Sequence, residues 1–327
     1  MIGRQRRNDQ EADMASTYLE SLRRFFGRVR DSTPVRFART HKRPLAILVL
    51  VAFFVFVGVY IAVDPSIVAR ALSIGWSNVA LLALLYCGII ATHFGILDST
   101  IRLCGMRLGA REGLLLTIYS TVANFFGPLQ SGPGVRAAYL KTRLGMRLRD
   151  FTAATLFYYA AFATLNVALL FVIVAPWVSA LCVTALAAAV FFVVGRFLPG
   201  ARLGPLIAIT CFTAAQVVIM STVFFVELNA VGSSPVPFTR ALVYGGSANL
   251  SLFVSITPGG IGFREGFLLF AQGLHHVTPP TIATASIVDR AFYVLFLGAL
   301  LVLSSVLNLR GMFGTKGEGE APSNDGG

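Results

Sequence analysis

The chemistry this chain could do rests on a few charged side chains set in oily surroundings. Seven ionisable residues fall in or beside its apolar stretches: His93, Asp98, Glu227, Arg264, Glu265, Asp289 and Arg290. Charge at membrane depth costs several kcal/mol and marks a substrate path or a paired partner. Arg264 follows the break Thr257-Pro258-Gly259-Gly260-Ile261-Gly262, on the first turn of a predicted helix. Free backbone N–H groups and the positive dipole end at such a terminus attract anions, and an Arg fork matches a phosphate bidentately. Glycines at Gly259, Gly260 and Gly262 would let a ligand approach the backbone.

Glu265 lies roughly 100° around the helix from Arg264, so the two do not face one another. It is placed to take a second cation, either Arg290 or an amine on a substrate. Two readings of this pair stay open. In one, Arg264 and the Pro258 to Gly262 backbone bind a phosphate headgroup; in the other, Arg264 and Glu265 make structural salt bridges to neighbouring helices. Asp289 and Arg290, one of each sign inside the last apolar stretch, suit either pairing with other intramembrane charges or substrate contact. Earlier in the chain Arg136 follows Pro133-Gly134 and is the other candidate for a headgroup, whereas Lys141, Arg143, Arg147 and Arg149 suit anionic lipid. His93 reads as a helix-packing histidine, and Asp98 and Glu227 as span-end residues.

The elements that must position these groups follow from composition. With 56% hydrophobic residues, 13% charged, 27 Phe and a mean hydropathy of +0.74, the chain is an all-α integral membrane protein. A span needs about 20 apolar residues. Six stretches qualify: Leu45 to Val63, Val79 to Leu97, Phe151 to Val174, Val178 to Val194, Leu206 to Val226 and Ile282 to Leu307.

Residues 1–44 hold 11 Lys or Arg against five acids, which places the N-terminus on the cytoplasmic side of a cell inner membrane. Tyr18, Leu19, Leu22, Phe25, Phe26 and Val29 recur there at helical spacing, as in a helix lying on an anionic leaflet or, alternatively, a disordered topogenic tail. The transmembrane domain covers residues 45–308, and the Gly-rich residues 309–327 read as a disordered cytoplasmic tail. The net charge of +12 sits at span ends, with no soluble domain to carry a nucleic-acid groove. Cys87, Cys104, Cys182 and Cys211 have no metal-ligand spacing and read as packing residues. No Walker A loop, H-E-x-x-H or G-x-S-x-G is present, which disfavours an ATP-driven pump or hydrolase; no cofactor or metal is expected.

Two further segments are apolar but broken. One runs from Leu114 through NFFGPLQSGPGVR to the basic Lys141 to Arg149, and the other is ALVYGGSANLSLFVSI-TPGG-IGFREGFLLFAQGL. If the first crossed, its basic end would fall outside, against the positive-inside rule. Both therefore read as re-entrant hairpins, whose irregular backbone is tolerated where it lines a cavity. Ala248-Asn249 and Pro258-Gly259 lie 125 positions after Ala123-Asn124 and Pro133-Gly134. That shift predicts an inverted repeat, residues 45–175 and 177–308, with Asn124 and Asn249 in equivalent places near the midplane.

At these motifs the chain resembles the flippase-like family that includes the transmembrane domain of lysylphosphatidylglycerol synthases. Asn124, Pro128, Gly132, Arg136 and Tyr139 fall on the family's N-x-x-x-P-x-x-x-G-x-x-x-R-x-x-L/Y pattern. Pro258, Gly259, Gly260, Gly262 and Glu265 fit its P-G-G-x-G-x-x-E signature, and Val288-Asp289-Arg290 is a third, looser match. The chain departs at Gln130, where the family often has a basic residue, and at Pro133, where it often has an acid. The resemblance implies that Tyr139 and the motif residues contact substrate and that the partners are membrane lipids, an anionic phospholipid or a polyprenyl-phosphate lipid. The synthases' soluble aminoacyl-transferase domain has no counterpart here, so the expectation is a transporter and not an enzyme. The alternative is a membrane transferase, or the membrane partner of a lipid-biosynthetic enzyme, in a polyprenyl-phosphate, glycolipid or hopanoid pathway.

Overall fold

The computed structural model describes residues 74–126, 131–197, 203–232, 234–253, 260 and 262–313. The basic N-terminal segment, the predicted span Leu45 to Val63, Pro258, Gly259 and the tail beyond residue 313 lie outside the described residues. All regular structure among the described residues is helical. The helices are α1 (Trp76–Leu103), α2 (Ala110–Phe126), α3 (Gly132–Leu144), α4 (Leu148–Leu170), α5 (Pro176–Phe197), α6 (Leu203–Val231), α7 (Phe238–Ser251), α8 (Phe263–Phe270), α9 (Gln272–His275) and α10 (Pro279–Phe313).

Four of them are long and apolar enough to cross a membrane: α1, α4, α6 and the Pro279–Ser304 part of α10. They carry four of the six spans expected from sequence. A fifth, Val178 to Val194, falls on α5, whose apolar stretch Pro176–Val190 is shorter than a span. The last helix runs on to Phe313, past the boundary expected at residue 308. These helices are apolar nearly all round, so no amphipathic face orients them, and packing at small residues sets their neighbours instead.

α1 and α6 form the spine and run antiparallel. Gly88 lies against Ile219 and Gly95 beneath the ring of Phe212, while Tyr86 reaches Glu227 at the other end of the contact. As the α1 number rises the α6 number falls, which is the signature of opposed directions.

Between the long helices sit two pairs of short ones. α2 and α3, of 17 and 13 residues, are about 26 Å and about 20 Å long, less than the roughly 30 Å of a bilayer core. They are antiparallel: the Gly132 N–H donates to Asn124 Oδ1 at 3.3 Å, Arg136 Nε to Ser120 Oγ at 2.7 Å, and Arg143 Nε to Glu112 Oε1 at 3.2 Å. α3 ends at Gly145, whose left-handed backbone (φ 65°) caps it before α4 begins. Leu97, Ile101, Leu116, Leu140, Met146 and Phe151 form one apolar cluster, so the open end of this pair sits beside the end of α1 and the start of α4.

α7 and α8 repeat the arrangement. Their open end is fixed by Phe224 and Leu228 of α6, Tyr244 of α7, Leu268 of α8 and Ile282 of α10. Because α1 and α6 are opposed, the open ends of the two pairs lie at opposite ends of these helices. α7 packs on α4 and α2 on α10, where Phe125 meets Tyr293 edge-on at 5.3 Å.

The α7–α4 contact is a close one. A Cβ on Gly246 would lie 2.7 Å from the Asn166 carbonyl oxygen and 3.0 Å from the Leu170 nitrogen, both backbone atoms. Gly246→Ala should therefore destabilise the protein by about 1–3 kcal/mol. Gly298→Ala, at a helical glycine with nothing within 4 Å, should not. Thermal unfolding in detergent distinguishes the two, and equal melting temperatures would rule out this contact as a constraint.

Candidate functional site

A cavity of about 210 Å³ lies at mid-height of α1, α4 and α6, bordered by residues from both short pairs. Asn124 and Phe125 border it from α2, and Asn249, Leu252 and Phe253 from α7. Tyr86 and His93 come from α1, Tyr158, Tyr159 and Phe162 from α4, Gln216 and Phe224 from α6, Arg264 from α8, and Asp289, Arg290 and Tyr293 from α10. Eight Phe and Tyr rings line the wall, and the polar groups converge from two sides.

One side carries the charge. Arg264 Nη1 is ion-paired with Asp289 Oδ2, both residues being 8% exposed, and the guanidinium lies 4.8 Å above the Phe224 ring. Desolvation of this kind is tolerated because the opposite charge is in contact and the ring face supplies a further favourable field. Asp289 Oδ1 also faces the Tyr86 hydroxyl at 3.0 Å, and the same hydroxyl is 3.1 Å from Glu227 Oε1. Glu227 is 1% exposed and meets no cation directly among the described residues. A second ion pair stands alongside: Arg290 Nη2 is 2.7 Å from Glu265 Oε1 and donates to the Gly260 carbonyl at 3.4 Å. Glu265 in turn accepts the Gly262 N–H at 2.8 Å, closing the first turn of α8 where Gly262 has φ 83°. Arg264 keeps two donors in reserve, since its Nε and Nη2 have no hydrogen-bond partner among the described residues.

The other side is neutral except for Arg136. Its Nε donates to Ser120 Oγ, and it meets no carboxylate among the described residues. It stands behind Tyr158 and Tyr159 in a small adjoining pocket that Pro133 also borders. Gln216 links the side to α1: its amide nitrogen donates to His93 Nε2 at 2.8 Å and its oxygen accepts from Tyr158 at 3.3 Å. His93 accepting that bond is a neutral imidazole with its proton on Nδ1. Asn249 Nδ2 donates to Asn166 Oδ1 at 2.9 Å, tying α7 to α4.

Asn124, Asn249, Arg264, Asp289 and Arg290, singled out in the sequence, all border the cavity. Glu265 does so indirectly as the partner of Arg290, the cation expected for it, and Gly260 and Gly262 shape the turn behind that pair. The intramembrane pairing expected for Asp289 and Arg290 is present. Tyr139 is not part of the cavity. It hydrogen-bonds Glu112 at the open end of the α2–α3 pair, beside Arg143, and that bond holds the Glu112 carboxyl below its usual range. Glu227 lies near the end of α6, as expected, but is buried beside the ion pair, and His93 packs α1 against α6 through Gln216 and also borders the cavity. Tyr86, Tyr158, Asn166 and Gln216 gave no sequence signal, because polar but uncharged residues are common in apolar helices.

No protein-family model matches this chain, and no curated protein sequence matches it.

Removing Arg264 would leave Asp289 buried without its cation. Arg264→Ala should cost about 3–5 kcal/mol. The double variant Arg264→Ala/Asp289→Ala should lose less than the sum of the single changes. Denaturant unfolding of the four proteins in one detergent measures the coupling, and additive losses would show that the pair contributes nothing.

Proposed function

We propose that the protein moves a phosphate-bearing lipid between membrane leaflets, with the headgroup passing through this cavity. The observation that carries the reading is a set of donors at an aromatic-lined cavity and beside it: Arg264 at the wall, with two N–H groups that have no partner among the described residues, and Arg136 in the adjoining pocket, with no carboxylate partner among them. A desolvated anion is stabilised most by charge-assisted hydrogen bonds from preplaced guanidinium groups, and the planar fork of Arg suits phosphate. At roughly 30 Å³ per water, the cavity has room for about seven waters. That suits a headgroup and not acyl chains, which would stay in the bilayer.

The helix arrangement supports the inverted repeat and the two re-entrant hairpins as its framework. The shift that carries Asn124 onto Asn249 carries α1, α2, α3 and α4 onto α6, α7, α8 and α10. Packing respects the exchange throughout. α1 touches α2 as α6 touches α7; α2 touches α10 as α7 touches α4; α1 touches α4 as α6 touches α10. The pairs α2–α3 and α7–α8, α3–α4 and α8–α10, and α1–α10 and α6–α4 complete it. Halves of opposite orientation, each closing one end of a central site, are suited to alternating exposure. In a cell inner membrane the Arg-rich end around Arg102, Arg111, Arg143 and Arg147 faces the cytoplasm. The family resemblance points the same way and rests on the motif residues alone.

Two measurements test this. In liposomes holding fluorescent anionic phospholipid, the wild type should carry label between leaflets, and Arg136→Ala should slow it by roughly 10- to 100-fold. That range corresponds to losing a charged hydrogen bond of about 1.5–3 kcal/mol. Transport at the wild-type rate would remove Arg136 from the headgroup path. For orientation, a cysteine at exposed position 276 should label from outside and one at 147 only from inside; labelling of 147 from outside would overturn the hairpin topology.

A further inference from the structure

Proton counting around Tyr86 places an exchangeable proton inside the protein. The Tyr86 hydroxyl lies 3.0 Å from Asp289 Oδ1 and 3.1 Å from Glu227 Oε1, and it has one hydrogen to donate. Two ionised carboxylates cannot both accept it. One contact must run the other way, with a carboxylic O–H donating to the tyrosine oxygen. Asp289 holds the Arg264 guanidinium and is therefore the ionised member. Glu227, 1% exposed and with no cation in contact among the described residues, is the one that carries the proton.

We infer that Glu227 is a proton-binding site and that its proton travels with the anion in the cavity. The coupling, though not the site itself, rests on the headgroup reading above. Two cations border the cavity, Arg264 and Arg290, and a third, Arg136, stands behind Tyr158 and Tyr159 in the adjoining pocket, against the carboxylates Asp289 and Glu265 when Glu227 is neutral. The site then has one positive charge in excess and suits an anion. Glu227 does not border the cavity, but Tyr86 and Asp289 do. Its proton leaves by relay: Glu227 gives it to the Tyr86 oxygen as the Tyr86 hydroxyl proton passes to Asp289, from which it reaches the cavity. Glu227 is then a carboxylate, the excess charge is gone, and the anion is released.

The groups facing Glu227 from the helices around α6 are Tyr86 of α1, Asp289 of α10, Tyr244 of α7 and, through Asp289, Arg264 of α8. His93 and Tyr158 stand about 16 Å along α6, at Gln216, and belong to the opposite wall. The described side chains of α5 add no carboxylate or cation. The pH dependence of this side is therefore that of the Glu227–Tyr86–Asp289 set.

Infrared difference spectroscopy of the whole protein in nanodiscs of neutral lipid tests the proton site without any transport. At neutral pH the wild type should show the carbonyl band of a protonated buried carboxyl, and Glu227→Gln should lack it. Tyr86→Phe should keep the band at a shifted position, which decides the matter if Glu227→Gln does not fold. No such band in the wild type, or an unchanged band in Glu227→Gln, overturns the site. The coupling is read in proteoliposomes with anionic phospholipid: a gradient of one pH unit should bias the leaflet distribution about tenfold, and the bias should vanish in Glu227→Gln. Movement indifferent to the gradient overturns the coupling. A protein that shows the band yet moves no lipid keeps its proton site and loses the headgroup reading.

Discussion

The Arg264–Asp289 ion pair is the constraint around which the interior is organised. Neither charge could stand alone at that depth, and each arrives from a different helix, α8 and α10. Holding them in contact fixes the short helix α8 against the long one. Tyr86 then ties the pair to α1, and Glu227 brings in α6, so one polar cluster joins four helices that share little else but apolar surface. In a helix bundle whose surfaces are apolar nearly all round, such a cluster sets register where greasy contacts would allow sliding. The second pair, Arg290 with Glu265, repeats the logic one residue along on each helix and closes the turn at Gly262.

The backbone and the chemistry obey different rules. Packing between the helices exchanges consistently between the two halves, yet the charges do not. Counting back 125 positions from Asp289 gives Thr164, and from Glu227 gives Arg102, which pairs with Asp98 at the end of α1. The second half holds both ion pairs and the buried carboxyl, whereas the first contributes Arg136, His93 and Tyr158. A cavity with one charged wall and one mostly neutral wall would favour one orientation of a ligand that is charged at one end. A symmetric site would not distinguish an anionic group from the uncharged part attached to it.

Much of this was legible in the sequence because the signals were strong and local. Long apolar stretches announced the crossing helices. The Pro and Gly breaks announced the short pairs, since Pro-Gly-Gly cannot continue a helix at membrane depth without stranding backbone groups. Arg264, Glu265, Asp289 and Arg290 stood out because charge is rare in oil. What the sequence does not carry is which charge meets which. Arg264 and Glu265 are adjacent but face different partners, and only the placement of α10 turns four charges into two pairs. Glu227 reads as a span-end residue and does lie near the end of α6 at Val231, but its burial against Tyr86 and Asp289 depends on α1 and α10 and is not carried by the sequence. Tyr139, matched by motif spacing, went instead to Glu112, since a hairpin brings the far end of α3 back to the start of α2.

The same geometry explains why the donors are incompletely used. An Arg packed only for stability would spend its N–H groups on carbonyls or carboxylates; Arg290 spends Nη2 on Glu265 and Gly260 but leaves Nε without a partner among the described residues. Arg264 spends Nη1 on Asp289, lies over Phe224, and leaves Nε and Nη2 without partners among the described residues at the edge of a polar space. Unsatisfied donors at this depth are expensive. Their persistence is intelligible when a transient acceptor, water or a ligand oxygen, completes them. The Phe224 ring covers one face of the guanidinium and Asp289 one edge, while the residue itself borders the cavity.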